Sequence, residues 1–156
     1  MTNKDEIVGA LRDAMSETEK IVASISDAVW SKQVYESWTA KQLFCHIAAD
    51  SSIAGVLITL AKMPAEARRG GPAIDENDWN ARQVLNRQDK PIEELTGELR
   101  SNVQRDIQAI QSQPDELFSQ HFRAPWGEEG RLSDVIMGTI TDHFQMHLGD
   151  LRTGTA

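Results

Sequence analysis

The sequence predicts an all-α protein with the architecture of a four-helix bundle. Four segments repeat their apolar residues at helical spacing, and the period-two alternation typical of strands is not sustained anywhere. The second and third segments are separated by 29 residues, 62–90. Because a connection of that length can return along the bundle, we expect an up-down-down-up order with one long crossover between helices 2 and 3.

The first two predicted helices are marked by an apolar stripe and by a capping box. Helix 1 runs from about Lys4 to Ile25, with apolar residues on one face and mostly charged residues on the other. Helix 2 begins at Thr39, whose hydroxyl and the Gln42 side chain can each satisfy an otherwise unpaired backbone amide, and continues to about Ala61. About 13 residues join these helices, which favours antiparallel neighbours.

The last two predicted helices are bounded by prolines and glycines. Helix 3 starts after Pro91, a residue suited to the first helical position, and stops near Pro114. Helix 4 follows after about 18 residues, from about Leu132 to Arg152. A connection of this length is compatible with helices 3 and 4 being antiparallel neighbours. Within the crossover, residues 75–85 are expected to form a short helix capped by the aspartate at its start.

Length and charge indicate one acidic domain. The chain has 156 residues, of which 24 are acidic and 16 basic, for a formal net charge of −8. We therefore expect a single domain over residues 1–156, no nucleic-acid partner and no attraction to anionic membranes. The longest apolar stretch is too short for a spanning helix, and the N-terminus has no signal-peptide pattern. A cytoplasmic protein is expected, and a single cysteine fits a reducing compartment.

Two histidines occupy core positions of helix 4, and a third has an equivalent position on helix 2. His143 and His147 are four residues apart, so both imidazoles lie on one helix face. His46 lies on the same broad face of its helix as Ala54 and Leu57. The apolar stripe of helix 4 runs through Leu132, Ile136, Ile140, His143, His147 and Leu151. All three imidazoles are therefore expected to point inward.

A metal ion would account for three inward imidazoles, because neighbouring buried imidazoles cannot all carry a charge at low cost. His46 lies about seven residues after helix 2 begins, and the midpoint of His143 and His147 lies about seven residues before helix 4 ends. Antiparallel packing of these helices brings all three to one level. Neutral imidazoles suit Zn²⁺, Ni²⁺, Fe²⁺ or Cu²⁺, and we expect zinc, with nickel as the alternative. Three protein ligands leave one position open for substrate.

Other interpretations of these residues stay open. Histidines four apart also occur at exposed or core-capping positions without a metal. Asp50, one turn after His46, and Asp142 are candidates to orient an imidazole, although carboxylates facing solvent are equally consistent with the pattern. The fourth histidine, His121, lies off the apolar stripes and is expected at the surface, and Cys45 is expected to be a buried structural thiol.

Three markers occur in order along nearly the whole chain. They are Trp38–Ile47, then Asp78–Arg82, then Pro125–Gly127 ahead of a helix that ends with Asp142–Arg152. In these markers the sequence resembles the DinB-like superfamily of metal-binding four-helix bundles. It is most similar to the branch related to the N-terminal domain of mycothiol-dependent maleylpyruvate isomerase.

The resemblance implies an up-down-down-up bundle, frequently a homodimer, with one divalent metal held by His46, His143 and His147. It also implies a thiol-dependent transferase or isomerase. In such an enzyme the metal would lower the pKa of a low-molecular-weight thiol such as mycothiol, bacillithiol or glutathione, and the sulfur would attack an electrophilic substrate.

The crossover helix supplies the candidate thiol-binding residues Trp79, Asn80 and Arg82, with Arg82 able to pair with a carboxylate. A packed tryptophan, a surface amide and a solvated charge are the alternatives for these three. No general base is evident outside the histidines. The alternative function is therefore a non-catalytic metal-binding protein of stress response or small-molecule resistance.

Overall fold

The computed structural model describes residues 2–69 and 75–156, which form helices joined in two places by a short hairpin. The helices are α1 (Lys4–Ser24), α2 (Ala40–Asp50), α3 (Ile53–Lys62), α4 (Glu76–Leu85), α5 (Ile92–Ser112), α6 (Asp115–Ser119), α7 (Leu132–Gly138) and α8 (Met146–Gly154), with a π-helix at Thr139–Gln145 between the last two. The strands are β1 (Gln33–Tyr35), β2 (Trp38–Thr39), β3 (His121–Arg123) and β4 (Glu129–Arg131). The predicted four-helix bundle with a long crossover is confirmed: α1, α2–α3, α5 and α7–α8 are its four members.

Polar contacts between helices fix the direction of each member. The start of α1 lies at the end of α5, where Lys4 Nζ donates to the Gln113 carbonyl at 2.6 Å. Nearer the other end of α1, Arg100 pairs with Glu19 at 2.8 Å, so α1 and α5 are antiparallel. The segment α2–α3 runs antiparallel to the fourth member, because α2 packs on α8 and α3 packs on α7.

The second and third members run parallel, as the long crossover requires. Asn102 on α5 donates to the carbonyl of Ala48 at 3.4 Å, and Asp106, one turn later, accepts from the backbone N–H of Gly55 at 3.0 Å. Both helices therefore advance in the same direction. The resulting order is up-down-down-up, in agreement with the sequence-based prediction.

Members 1 and 2, and likewise members 3 and 4, lie diagonally in the bundle, which corrects the expectation that each of these pairs forms antiparallel neighbours. Within the described residues, α1 packs mainly on α5 and on the fourth member, while α2–α3 packs on α5 and the fourth member from the other side. The physical reason is the length of the connections. The hairpins β1–β2 and β3–β4 carry the chain across the ends of the bundle, and their strands were too short to be recognised by alternation.

Helix 2 is broken at Ser51 and Ser52, although its apolar pattern predicts one continuous helix. The new helix α3 is capped by a residue of another helix, because Asp106 Oδ1 accepts a hydrogen bond from the Gly55 N–H at 3.0 Å. Ser51 Oγ donates to the Ala48 carbonyl at 2.7 Å, which further favours the end of α2. A residue more than fifty positions away thus determines where this helix begins.

Helix 4 also departs from a continuous α-helix. Its central residues Thr139–Gln145 form a π-helix, a rare conformation that often occurs at functional sites. The wider turn changes which side chains face the core: Phe144 is buried, whereas the side chain of His143 is 38% exposed. The stripe predicted through His143 therefore reaches the edge of the core rather than its centre at this residue.

The stretch Ala40–Lys62 is long and apolar enough to cross a membrane by length and composition alone. However, 56% of its most apolar window is buried within the bundle, as in a core helix. Its buried residues include Leu43, Phe44, Ile47 and Leu57.

Gly55→Ala is expected to destabilise the fold by about 1–3 kcal/mol, because the new Cβ would lie 2.6 Å from Asp106 Oδ1 and disturb the capping interaction. The matched control is Gly97→Ala on α5, where a Cβ meets nothing within 4 Å and the gain in helix propensity is about 0.5–1 kcal/mol. Urea unfolding of both variants measures the two changes. Equal gains in stability would contradict the close contact at Gly55.

Candidate metal centre

Three histidine side chains from two members of the bundle converge at one point. His46 comes from α2, His143 from the π-helix and His147 from α8. Nε2 of His46 lies 3.3 Å from Nε2 of His143, and one ring nitrogen from each of the three lies within 4.8 Å of the others. His46 and His147 are buried, and His143 forms the open side of the cluster.

The spacing of these nitrogens fits a divalent metal. Two ligand atoms bound to zinc at roughly 2.0–2.1 Å lie about 3.3 Å apart when their directions differ by the tetrahedral angle. The distance between the His46 and His143 nitrogens is 3.3 Å. Imidazole is also a preferred ligand of zinc and nickel. The three residues can therefore hold a metal, although occupancy by one stays a prediction.

Burial keeps the imidazoles of His46 and His143 in the form that binds metals. Burial, together with the neighbouring imidazoles of His143 and His147, lowers the pKa of His46 to about 3. Burial also lowers the pKa of His143. Neutral rings carry a free lone pair at neutral pH, so little proton competition opposes a metal at this site.

Asp150 orients His147. Its Oδ2 lies 3.2 Å from Nδ1 of that ring, which fixes the proton on Nδ1 and leaves Nε2 free as a ligand atom. Sequence reasoning did not single out Asp150, although an aspartate three residues after a histidine on one helix gives a usable signal. His46 lacks such a partner among the described residues, because its buried Nδ1 makes no hydrogen bond.

Asp50 lies next to His46 and His143, as its position one turn after His46 suggests. Its Oδ2 lies 3.4 Å from Nε2 of His46 and 3.6 Å from Nε2 of His143. Burial raises the pKa of Asp50, and Glu76 at the start of α4 raises it further, while His143 opposes both effects. Glu76 thus lies beside the site, although no motif in the sequence singles it out.

Asp142 does not orient an imidazole, which corrects the second carboxylate prediction. Its side chain is exposed and accepts a hydrogen bond from Oγ1 of Thr141 at 3.2 Å. Asp142 directly precedes His143, and successive side chains of a helix do not face each other, so its carboxylate points to solvent. Asp150 has the role that the sequence assigned to Asp142.

Two aromatic residues of the β1–β2 hairpin pack against one side of the cluster. The ring of Tyr35 meets His147 edge to face with centroids 5.1 Å apart, and the ring of Trp38 lies 5.0 Å from that of His46. Burial raises the pKa of Tyr35. These rings limit the rotation of both imidazoles and exclude water from that side.

The three candidate residues of the crossover helix differ in how exposed their side chains are. Asn80 is half-buried, while Arg82 is exposed and Trp79 is 48% exposed. Contact of the three with a thiol stays a prediction. The remaining candidates agree with their expected positions: His121 is exposed, and Cys45 is fully buried, with burial raising the pKa of its thiol to about 11.

Comparisons with known proteins agree with this fold. The family model of the DinB superfamily matches residues 10–151. No curated protein matches the sequence. The mycothiol-dependent maleylpyruvate isomerase superposes with a TM-score of 0.74 at 16% identity, covering 97% of this chain and 63% of the isomerase. A histidine-to-alanine mutant of that isomerase gives 0.74 at 15% identity with the same coverage. This chain therefore spans less than two thirds of the isomerase's length.

A second similar structure is YfiT from Bacillus subtilis, described as a probable metal-dependent hydrolase with an unusual four-helix bundle topology. It superposes with a TM-score of 0.74 at 17% identity, covering 96% of this chain and 84% of YfiT. At these identities the likeness shows a shared fold.

Asp150→Ala is expected to weaken zinc binding about 10- to 100-fold, because His147 would lose the partner that fixes its proton and its orientation. Asp142→Ala, the matched control on the same member, should leave the affinity unchanged. Competition titration against a chromophoric chelator measures both affinities. Equal effects of the two substitutions would contradict the role of Asp150.

The metal-free protein is expected to lose stability as the pH falls below 6.5, the ordinary pKa of histidine. The unfolded chain then binds a proton at His46, whereas the folded chain does so only near its lowered pKa of about 3. His46→Gln should show a smaller loss between pH 7 and 5 in chemical denaturation. Carboxyl groups with raised pKa values act in the opposite direction in both proteins, so the difference between the two isolates His46. Parallel pH profiles would contradict a buried neutral His46.

Proposed function

The chain belongs to the DinB superfamily, and on that premise we propose that it is a metal-dependent enzyme that transfers or rearranges groups by means of a low-molecular-weight thiol. The observation that carries the proposal is the meeting of three imidazole ring nitrogens beside a carboxylate. His46, His143 and His147 would hold one divalent ion, for which zinc is our first choice. A bound metal would lower the pKa of a thiol and so supply a thiolate at neutral pH.

The carboxylate of Asp50 is placed to manage the proton of the reaction. Its Oδ2 lies 3.4 Å from Nε2 of His46 and 3.6 Å from Nε2 of His143, the two nitrogens around which a ligand would bind. The S–H of a thiol bound beside these nitrogens would be within reach of Asp50. Asp50 would accept the thiol proton. The sulfur would then form a bond to an electrophilic carbon, and the electron pair displaced from that carbon would take up the proton that Asp50 holds.

The surroundings of the site support chemistry on a small molecule. Tyr35 packs against His147 and Trp38 against His46, and Asp150 would fix the tautomer of His147. The half-exposed ring of His143 leaves access from solvent, next to Glu76 of the crossover helix. Trp79, Asn80 and Arg82 on that helix are our candidates to contact the thiol.

Hydrolysis is the second candidate function. YfiT, a fold relative described as a probable metal-dependent hydrolase, matches this chain over most of its own length. The position of Asp50 suits water as well as a thiol, because the same oxygen can accept a proton from either. The two candidates therefore differ in the nucleophile and not in the residues that surround it.

The zinc-loaded protein, purified without an affinity tag, should consume glutathione, bacillithiol or mycothiol in the presence of 1-chloro-2,4-dinitrobenzene. His147→Ala should abolish both metal content and turnover. Asp50→Asn should keep the metal and lose about 100-fold or more of the rate, since a positioned acid or base contributes about that factor. Metal analysis and absorbance assays measure these effects.

The same experiment separates the alternatives. Hydrolysis of 4-nitrophenyl acetate without consumption of any thiol would replace the transferase by a hydrolase. Bound metal with neither reaction would favour a binding protein. Wild-type protein that takes up no metal would contradict the proposed function altogether.

A further inference from the structure

The crossover helix α4 is fastened to the bundle at its C-terminal end. Val84 in its last turn is buried. Just beyond that turn, Nε and Nη2 of Arg87 donate to Oε1 of Glu98 on α5 at 2.9 and 2.7 Å, and Nη1 donates to Oε1 of Gln83 at 2.7 Å. Charge-assisted hydrogen bonds of this kind are among the stronger polar contacts in proteins. This end of α4 is therefore held in place on α5.

The N-terminal end of α4 has no comparable attachment. Among residues 75–82, Asn80 is half-buried and the others are exposed. In the described part of the chain, the hydrogen bonds of this segment stay within α4, where Oδ1 of Asp75 accepts from the backbone N–H of Asp78 at 3.0 Å. Helical turns with few buried contacts open locally at a low cost in free energy. The first two turns of α4 can thus move while its last turn stays fixed.

This less attached end lies beside the open side of the histidine cluster. Glu76, Asn80 and Val84 are four residues apart, so they share the helix face that packs on the bundle. Burial lowers the pKa of His143 and raises that of Asp50, and the negative charge of Glu76 raises both. The side chain of His143 is 38% exposed. The carboxylate of Glu76 therefore faces the entrance to the site.

The sign of the charge at the site determines how Glu76 interacts with it. Without a metal, Glu76 faces the carboxylate of Asp50, and two like charges oppose closer packing of the first turn of α4. A divalent ion on three imidazoles carries more positive charge than Asp50 carries negative charge. The net interaction of the site with Glu76 then becomes attractive.

We propose that α4 is a hinged cover of the metal centre, which pivots at the contact of Arg87 with Glu98. A bound divalent ion draws Glu76, and with it the first two turns of α4, over the open side of His143. The inference rests on the proposed function for the presence of that ion. Glu76 is thus a positioning residue, through which the occupancy of the metal centre sets the position of the helix.

Closure of this cover has two consequences for the site. Trp79 and Arg82, which are exposed in the position that the structure shows, move towards the metal together with the first two turns. A cover over the entrance also excludes water, which strengthens the electrostatic interactions inside. The contact of these two side chains with a thiol therefore follows metal binding and does not precede it.

Hydrogen exchange followed by mass spectrometry observes the two ends of α4 separately. Amides of Trp79–Arg82 report on the movable turns. Amides of Asn86–Gln88, which donate to carbonyls of the last turn, report on the fixed end. Zinc should slow exchange at Trp79–Arg82 by about three- to tenfold and leave Asn86–Gln88 within about twofold, because the attraction acts on an exposed carboxylate at one end only.

Glu76→Gln removes the charge that responds to the metal, and Asp78→Asn is its matched control. The control removes an equal charge from the same exposed turn, with the same loss of interaction with the helix N-terminus, but its side chain lies on another face. At saturating zinc both variants should bind the metal. The control should keep the slowing at Trp79–Arg82, and Glu76→Gln should lose it. In metal-free protein, Glu76→Gln should exchange more slowly there than the control, because the repulsion from Asp50 is gone.

The outcomes separate the cover from the proposed function. Slowing at Trp79–Arg82 that depends on Glu76, in protein that turns over no thiol, would support the cover while the enzymatic proposal fails. Zinc-loaded protein without slowing, equal slowing at both ends of α4, or equal responses of the two variants would overturn the cover alone. Wild-type protein that takes up no zinc would contradict the metal centre and the cover together.

Discussion

Three imidazoles in mutual contact are the constraint on which the rest of this structure depends. Rings whose centroids are 4.7–5.1 Å apart cannot all be protonated, and His143 has the most exposed side chain of the three. The bundle must therefore hold α2 antiparallel to α8 at one axial level, because an offset of one turn would separate the rings. Tyr35 and Trp38 of the β1–β2 hairpin pack against His147 and His46, and Asp150 contacts His147.

The core contains a second polar cluster, which consists of Ser51, Asn102 and Asp106. Asn102 donates to Ser51 Oγ at 3.0 Å, and Asp106 caps α3, so the break in helix 2 is compensated by hydrogen bonds from α5. Ser51 and Ala54, at and just after the break, line a narrow pocket together with Asp50, His143 and His147.

The parts of the fold that depend on local sequence were predictable. The capping box at Thr39, the cap at Asp75 and the apolar spacing of the long helices each involve residues within a few positions of one another. The inward placement of His46 and His147 followed from the same periodicity. The up-down-down-up order followed from the length of one connection.

The features that the sequence did not reveal depend on distant partners or on departures from α-helical geometry. The start of α3 is set by Asp106, and the diagonal arrangement of members 1 and 2 and of members 3 and 4 depends on how two short hairpins cross the bundle ends. A period of 3.6 residues cannot describe the π-helical turn at Thr139–Gln145, and this is why the exposed edge position of His143 was not predicted. Glu76 reaches the site only through the packing of α4 on α2.

The histidine cluster joins residues 97 positions apart in the chain, from the second and fourth members of the bundle. Neither half of the polypeptide contains the site, so a ligand that needs all three nitrogens binds only the completed tertiary structure. Such a ligand shifts the folding equilibrium in proportion to the logarithm of its free concentration relative to its Kd. The availability of metal in the surroundings would then govern how long the chain survives proteolysis, independently of any reaction that it catalyses.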